Sequence, residues 1–250
     1  MNKKIIGIFI LGIFLISNLS SVSAVSINKE VKNRVIKQSP ALSTNVGSSS
    51  QQAEWTVMLY MCADNDLGYY GYGQHDIDKL RAATQNDDSG DVNIIVLYDK
   101  YGNGNSKIKS IKDGFVEDLD DNESVIPENN EVNMGDPQTL VNFGAWTIEN
   151  YPANHYMFVL WGHGFEAHPS WTWPNSDWFY TACVDVTSKD SIRIANYELV
   201  NALDSITNHG AIKFDIIGFD TGEDGEIMAY FGFGFSTFKA FNNTKLFLSS

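Results

Sequence analysis

Three segments of this 250-residue chain carry side chains able to do acid–base or covalent chemistry. His163 stands between Gly162 and Gly164, directly after the apolar run 156–161. An imidazole titrates near neutrality and flanking glycines let a ligand approach the backbone, so the triplet suits a general base. A histidine so placed also serves simply to cap a loop. The second segment is Asp220-Thr221-Gly222-Glu223-Asp224, followed by Glu226; the third is Asp64-Asn65-Asp66. Carboxylates can hold a hard cation, but neither group has the EF-hand spacing. We read the first as a solvated acidic loop and the second as a turn, and assign no metal site. The two thiols, Cys62 and Cys183, are not in a Cys-x-x-Cys pair, so a structural zinc site and a dithiol redox motif both lack their ligands.

Four apolar runs of strand length must position these groups: 55–62, 92–98, 156–161 and 214–219. Continuous rather than alternating apolar character marks strands buried on both faces of a parallel sheet. Between them lie helical patterns. Asp136-Pro137 provides an N-cap and a first-turn proline, with Leu140, Phe143, Ile148 and Tyr151 at helical spacing before Pro152. A second helix is expected over 196–208, ending before Gly210, and a weaker one over 76–83. The alternation predicts a doubly wound α/β domain with a mainly parallel sheet, whose sites lie beyond the carboxyl ends of the strands. Segment 101–120 suits a small β-hairpin. The Trp/His-rich loop 166–178 comes after the third strand, where it either grips a ligand or covers the sheet edge.

A formal charge of −14, from 17 Lys+Arg against 31 Asp+Glu, excludes a general nucleic-acid binder, because such binding draws its affinity from cations that neutralise phosphates. Residues 1–24 read as a signal peptide: Lys3 and Lys4, an apolar run too short to span a bilayer comfortably, then Ser21-Val22-Ser23-Ala24. Its removal takes the charge to −16 and leaves no membrane span, for a secreted or cell-surface product. Residues 25–53 are a polar tether or propeptide, and 54–250 form the folded domain.

Four blocks together resemble the clostripain family of cysteine peptidases, in the family's order: 55–67, 133–140, 156–164 and 215–220. The resemblance implies a caspase-like, gingipain-like fold, cleavage of polypeptides after Arg above Lys by a His/Cys dyad, and often calcium dependence and activation by internal cleavage. Carried onto this chain, His163 matches the catalytic histidine and Gly164 the glycine whose N–H helps form the oxyanion hole. Asp220 matches the acidic residue that receives the substrate's basic side chain, and Asp185 lies in a substrate-proximal loop. Gly222, however, stands where the family has its nucleophilic cysteine, and residues 231–250 do not resemble the corresponding part of the family's members. The expected product is a peptidase homologue, incomplete or divergent after about residue 230, that is inactive or impaired. The alternative is a non-catalytic acidic surface module that binds basic peptides.

Overall fold

All four apolar runs become strands of one seven-stranded sheet in the computed structural model, which describes residues 52–85, 90–119, 123–165, 181–194, 197–221 and 246–249. They are β1 (Ala53–Ala63), β2 (Val92–Lys100), β5 (Ala153–Trp161) and β9 (Ile216–Asp220). The segment after the second run folds as the expected hairpin, β3 (Lys107–Lys112) and β4 (Phe115–Leu119). That hairpin extends the main sheet instead of standing apart from it, because β3 pairs antiparallel with β2. A tenth strand, β10 (Leu246–Ser249), pairs parallel with β9 and lies in a stretch where no element is expected from the sequence. The order is β10-β9-β5-β1-β2-β3-β4. A second, three-stranded antiparallel sheet holds β6 (Gly164–Phe165), β7 (Thr181–Asp185) and β8 (Asp190–Arg193).

Strand pleating divides the main sheet's side chains between two cores. Met58, Tyr60 and Cys62 of β1 face one core together with Leu97, Phe158, Leu160 and Phe219; Leu59, Met61 and Ala63 face the other together with Val96, Val159 and Trp161. Helices cover both. On the first face lie α3 (Pro137–Asn150), through Leu140 and Phe143, and α4 (Glu198–Ile206), through Leu199 and Leu203. On the second lies α2 (Tyr72–Thr84), through Ile77 and Leu80. Burial on both faces explains why the strands read as unbroken apolar runs.

Helix ends follow local chemistry where the sequence supplies it. Asp136 caps α3 by accepting from the Gln138 N–H at 2.9 Å, with Pro137 in the first turn. The helix α4 begins at Glu198, two residues later than the pattern indicates, after Tyr197 with φ +62°. The fourth strand also starts late, because the Asp215 N–H donates to Tyr156 O at 2.8 Å and its carboxylate accepts from the Tyr156 N–H at 3.2 Å, which fixes the entry to β9. Residues 1–51, including the expected signal peptide and nearly all of the tether, fall outside the described residues, as do the loop 166–178 and Gly222. Among the described residues no helix is long and apolar enough to cross a membrane.

Candidate functional site at the carboxyl edge of the sheet

Parallel pairing brings the ends of β1, β2, β5 and β9 to one edge. Met61 is opposite Trp161, Trp161 opposite Asp220, and Cys62 opposite Asp99. The residues at and just beyond these strand ends therefore converge, which is why an open α/β sheet builds its sites here.

His163 is positioned by a tight passage of the chain. Gly162 has φ +145°, and a Cβ on it would lie 2.7 Å from the Cys62 carbonyl oxygen, so only glycine fits this turn. The Gly162 N–H donates to Asp220 O at 3.1 Å. Gly162→Ala is accordingly expected to destabilise the chain by about 1–3 kcal/mol and to displace His163. Urea unfolding of the variant checks the first effect; an unchanged midpoint would mean that β1 and β5 yield without cost.

The His163 Nε2 lies 2.6 Å from Asp66 Oδ1, with the histidine side chain 30% and the aspartate 63% exposed. Asp66 opens a four-residue helix, α1 (Asp66–Tyr69), whose N-cap Asn65 accepts from the Leu67 N–H at 3.0 Å. Asn65 thus shapes a turn as the sequence indicates, whereas Asp66 is a direct partner of the histidine. Nothing in the local spacing announces that pair, because 97 residues separate the two positions. A carboxylate on one imidazole nitrogen fixes the ring's orientation.

Several expected site groups are already engaged. The Gly164 N–H donates to Thr221 O at 3.0 Å, so presenting it to an oxyanion requires that bond to open. Asp185 is fully buried; its Oδ2 accepts from the Met134 N–H at 2.9 Å and its Oδ1 from the Ser188 N–H at 2.7 Å. In this arrangement Asp185 presents no surface to a basic side chain, because it is enclosed and its oxygens accept from the Met134 and Ser188 N–H groups. Asp220 is half-buried at the end of β9 beside the Gly162 turn. Thr221, adjacent to position 222, is buried as well.

Neither thiol is poised to act. Cys62 and Cys183 are both buried and unpaired as a disulfide. The Cys62 thiol donates to Val184 O at 3.1 Å. Burial pushes the Cys62 thiol well up, and nearby Cys183, Asp185, Asp99 and Asp64 push it further. Burial alone pushes Cys183 up. A reactive cysteine needs the opposite surroundings, electropositive and open.

Beneath this edge three aspartates meet. Asp64, Asp99 and Asp185 are all buried, and one carboxylate oxygen from each lies within 4.8 Å of the others. Asp64 accepts from the Gly102 and Thr187 N–H groups, each at 2.8 Å, and so ties the β2–β3 connection and the β7–β8 turn to β1. Burial raises Asp99 to about 8 against a Ser106 hydroxyl bond that lowers it, with Asp185, Glu131 and Asp64 adding to the rise. Burial likewise raises Asp185 to about 6, opposed by its backbone donors Ser188 and Met134. Reading 64–66 as a turn misses this cluster, since Asp99 and Asp185 come from distant strands.

A histidine and carboxylates thus stand together at the carboxyl edge of a mainly parallel α/β sheet, between β1, β5 and β9. The clostripain family model matches residues 59–223, about two thirds of the chain, and the chain belongs to that family. It is 27% identical over 137 residues to clostripain from Hathewaya histolytica, covering 48% of this chain and 25% of that protein. Its fold is similar to a secreted C11 cysteine protease from Bacteroides thetaiotaomicron in complex with an irreversible peptide inhibitor. That match has a TM-score of 0.53 and 24% identity, over 78% of this chain and 48% of the other. An inactive zymogen C11 protease from Parabacteroides distasonis matches with a TM-score of 0.52 and 22% identity, over 81% of this chain and 50% of the other. The chain therefore spans a quarter of the length of the curated relative and about half the length of these solved structures.

Proposed function

We propose that this chain is an exported clostripain-family protein that retains the histidine side of the peptidase site, engages polypeptides at basic residues through Asp220, and hydrolyses them poorly or not at all. The observation that carries the reading is Gly222, which has no side chain to attack a carbonyl, at the position matching the family's nucleophile. The burial of both cysteines supports it, because neither thiol is available as a replacement. Thr221 is a poor substitute too, since its hydroxyl is buried and has no hydrogen-bond partner among the described residues that could act as its base.

In this reading His163, oriented by Asp66, lines a peptide-binding crevice, and Gly164 would serve an oxyanion only after releasing Thr221. Export rests on the leader-like residues 1–24, and preference for Arg over Lys on the resemblance of Asp220 to the family's acidic specificity residue. Binding of a fluorescent Arg-terminated peptide tests it. Saturable binding that Asp220→Asn weakens about tenfold is expected, in line with about 1.5–3 kcal/mol for a hydrogen bond to a charged group. Equal affinity of the two proteins would remove Asp220 from the site. A non-catalytic acidic module for basic peptides is the second reading, favoured by the −14 charge. It predicts affinity that falls steeply with salt and depends little on His163.

A further inference from the structure

We propose that Tyr69, Tyr70, Tyr72 and Tyr101 form an aromatic exosite that holds a second basic side chain of a bound polypeptide by cation–π contact, apart from the one received by Asp220. The proposal rests on the peptide-binding reading of the His163 crevice and adds to it a preference for ligands with two separated basic residues.

Segment 68–73, Gly-Tyr-Tyr-Gly-Tyr-Gly, folds with the usual burial inverted. A Cβ on Gly68 would collide with the Ala63 carbonyl, and one on Gly73 would lie 2.8 Å from the Tyr98 ring, so these glycines lie against the protein. The same close approach of Gly68 sets α1 beside the backbone of Tyr101. The four tyrosines face water instead, each between 52% and 67% exposed. Their rings form an unbroken row, with centroids 5.4 Å apart for Tyr101 and Tyr69, 5.2 Å for Tyr69 and Tyr70, and 6.4 Å for Tyr70 and Tyr72. A contiguous aromatic surface on the order of a few hundred Å² left in water marks a binding site.

Geometry and charge select the occupant. Successive ring planes turn by 59–80°, which leaves no flat platform for a row of sugar rings. Steeply inclined faces are how an aromatic cage surrounds an ammonium group. Centroids 5.2 and 5.4 Å apart let one cation lie within about 6 Å of two rings at once. The chain's charge of −14 favours a basic ligand and disfavours a second copy of itself. The row is also continuous with the crevice. Asp66, whose carboxylate meets His163, precedes Tyr69 and Tyr70 by three and four residues, the spacing of one helical face. The Tyr70 N–H donates to Asp66 O at 2.9 Å, so the tyrosines and the histidine's partner are held by one turn of chain. A peptide lying across His163 therefore passes close to the rings.

The test measures the affinity of the full chain for fluorescent peptides with a central Arg and one Lys placed three, five or seven residues to either side. Each is compared with its acetyl-lysine counterpart, which keeps the shape and removes the charge. At one spacing or more the Lys peptide should bind about fivefold or more tighter. Tyr70→Leu, on an exposed ring, should abolish that ratio, and Tyr70→Phe should keep it. Asp220→Asn should weaken both peptides of a pair alike and leave the ratio standing. A ratio of one at every spacing, with Asp220→Asn still weakening binding, would overturn the exosite and spare the crevice. A Tyr70-dependent ratio with no effect of Asp220→Asn would support the exosite and remove Asp220 from the site. Absence of binding by any peptide would end both. A ratio that survives Tyr70→Leu and vanishes in about 0.5 M NaCl would replace the exosite with diffuse attraction to an acidic surface. Finding instead that Tyr70→Leu abolishes binding of a neutral oligosaccharide, or self-association, while the ratio is one would reassign the rings to that partner.

Discussion

Incubated with an Arg-terminated amide under reducing conditions, this protein is expected to release product no faster than buffer. Removing the nucleophile of a covalent peptidase costs about 10⁶ in kcat, because the remaining groups cannot form the acyl-enzyme. Asp66 at 2.6 Å orients the His163 imidazole, but that work is idle without a thiolate beside it. The chain's own cysteines do not fill the gap. Titrated with a disulfide reagent, folded protein should expose no fast thiol, and Cys62 and Cys183 should both react only in denaturant. Iodoacetamide should then leave peptide binding unchanged. Thiol-dependent turnover by the folded chain would refute the role given to Gly222, and a fast native thiol would refute the burial that protects both cysteines. The complementary gain is also expected: Gly222→Cys should raise turnover above background, and adding His163→Ala should return it there. A gain that persists without His163 would detach that residue from the chemistry.

The second large effect concerns pH. Burial and mutual repulsion hold the Asp99 carboxyl at about 8, against an ordinary 3.8, and Asp185 at about 6. Both shifts are upward, so between the unfolded and folded values the native state binds more protons than the unfolded chain. Stability from these groups is complete below about pH 4 and is lost as the pH rises, through about 6 for Asp185 and about 8 for Asp99. The Asp99 contribution alone should fall by on the order of 4 kcal/mol between about pH 5 and pH 8. Urea midpoints measured across that window check it. Asp99→Asn, whose uncharged amide mimics the protonated acid, should flatten the slope. A midpoint that rises from pH 5 to pH 8 would mean that these carboxylates are ionised and stabilised in the folded state.

Much of the architecture is legible in the order of residues. The unbroken apolar runs 55–62, 92–98 and 156–161 become β1, β2 and β5 because a strand covered on both faces has no solvent side to mark with polar residues. Asp136-Pro137 starts α3 because capping and proline preference act within a single turn. β10 and the late start of β9 are not legible: the first depends on an open sheet edge elsewhere in the fold, the second on a hydrogen bond from Asp215 to Tyr156. The Gly-His-Gly triplet and Asp220 lie at the carboxyl edge of the sheet, since strand ends converge in any parallel α/β protein.

The sequence by itself determined the class of fold, the place of His163 at a strand end, and the absence of a thiol at position 222, because each is a property of residue type and local spacing. Only the tertiary structure decided what those residues meet. It set Asp66 against His163 across 97 positions, committed the Gly164 N–H to Thr221, enclosed Asp185 and both thiols, and gathered Asp64, Asp99 and Asp185 from three strand ends. Such partnerships follow from strand order and register, which bring distant residues within a few ångströms, and neither spacing nor composition along the chain encodes them.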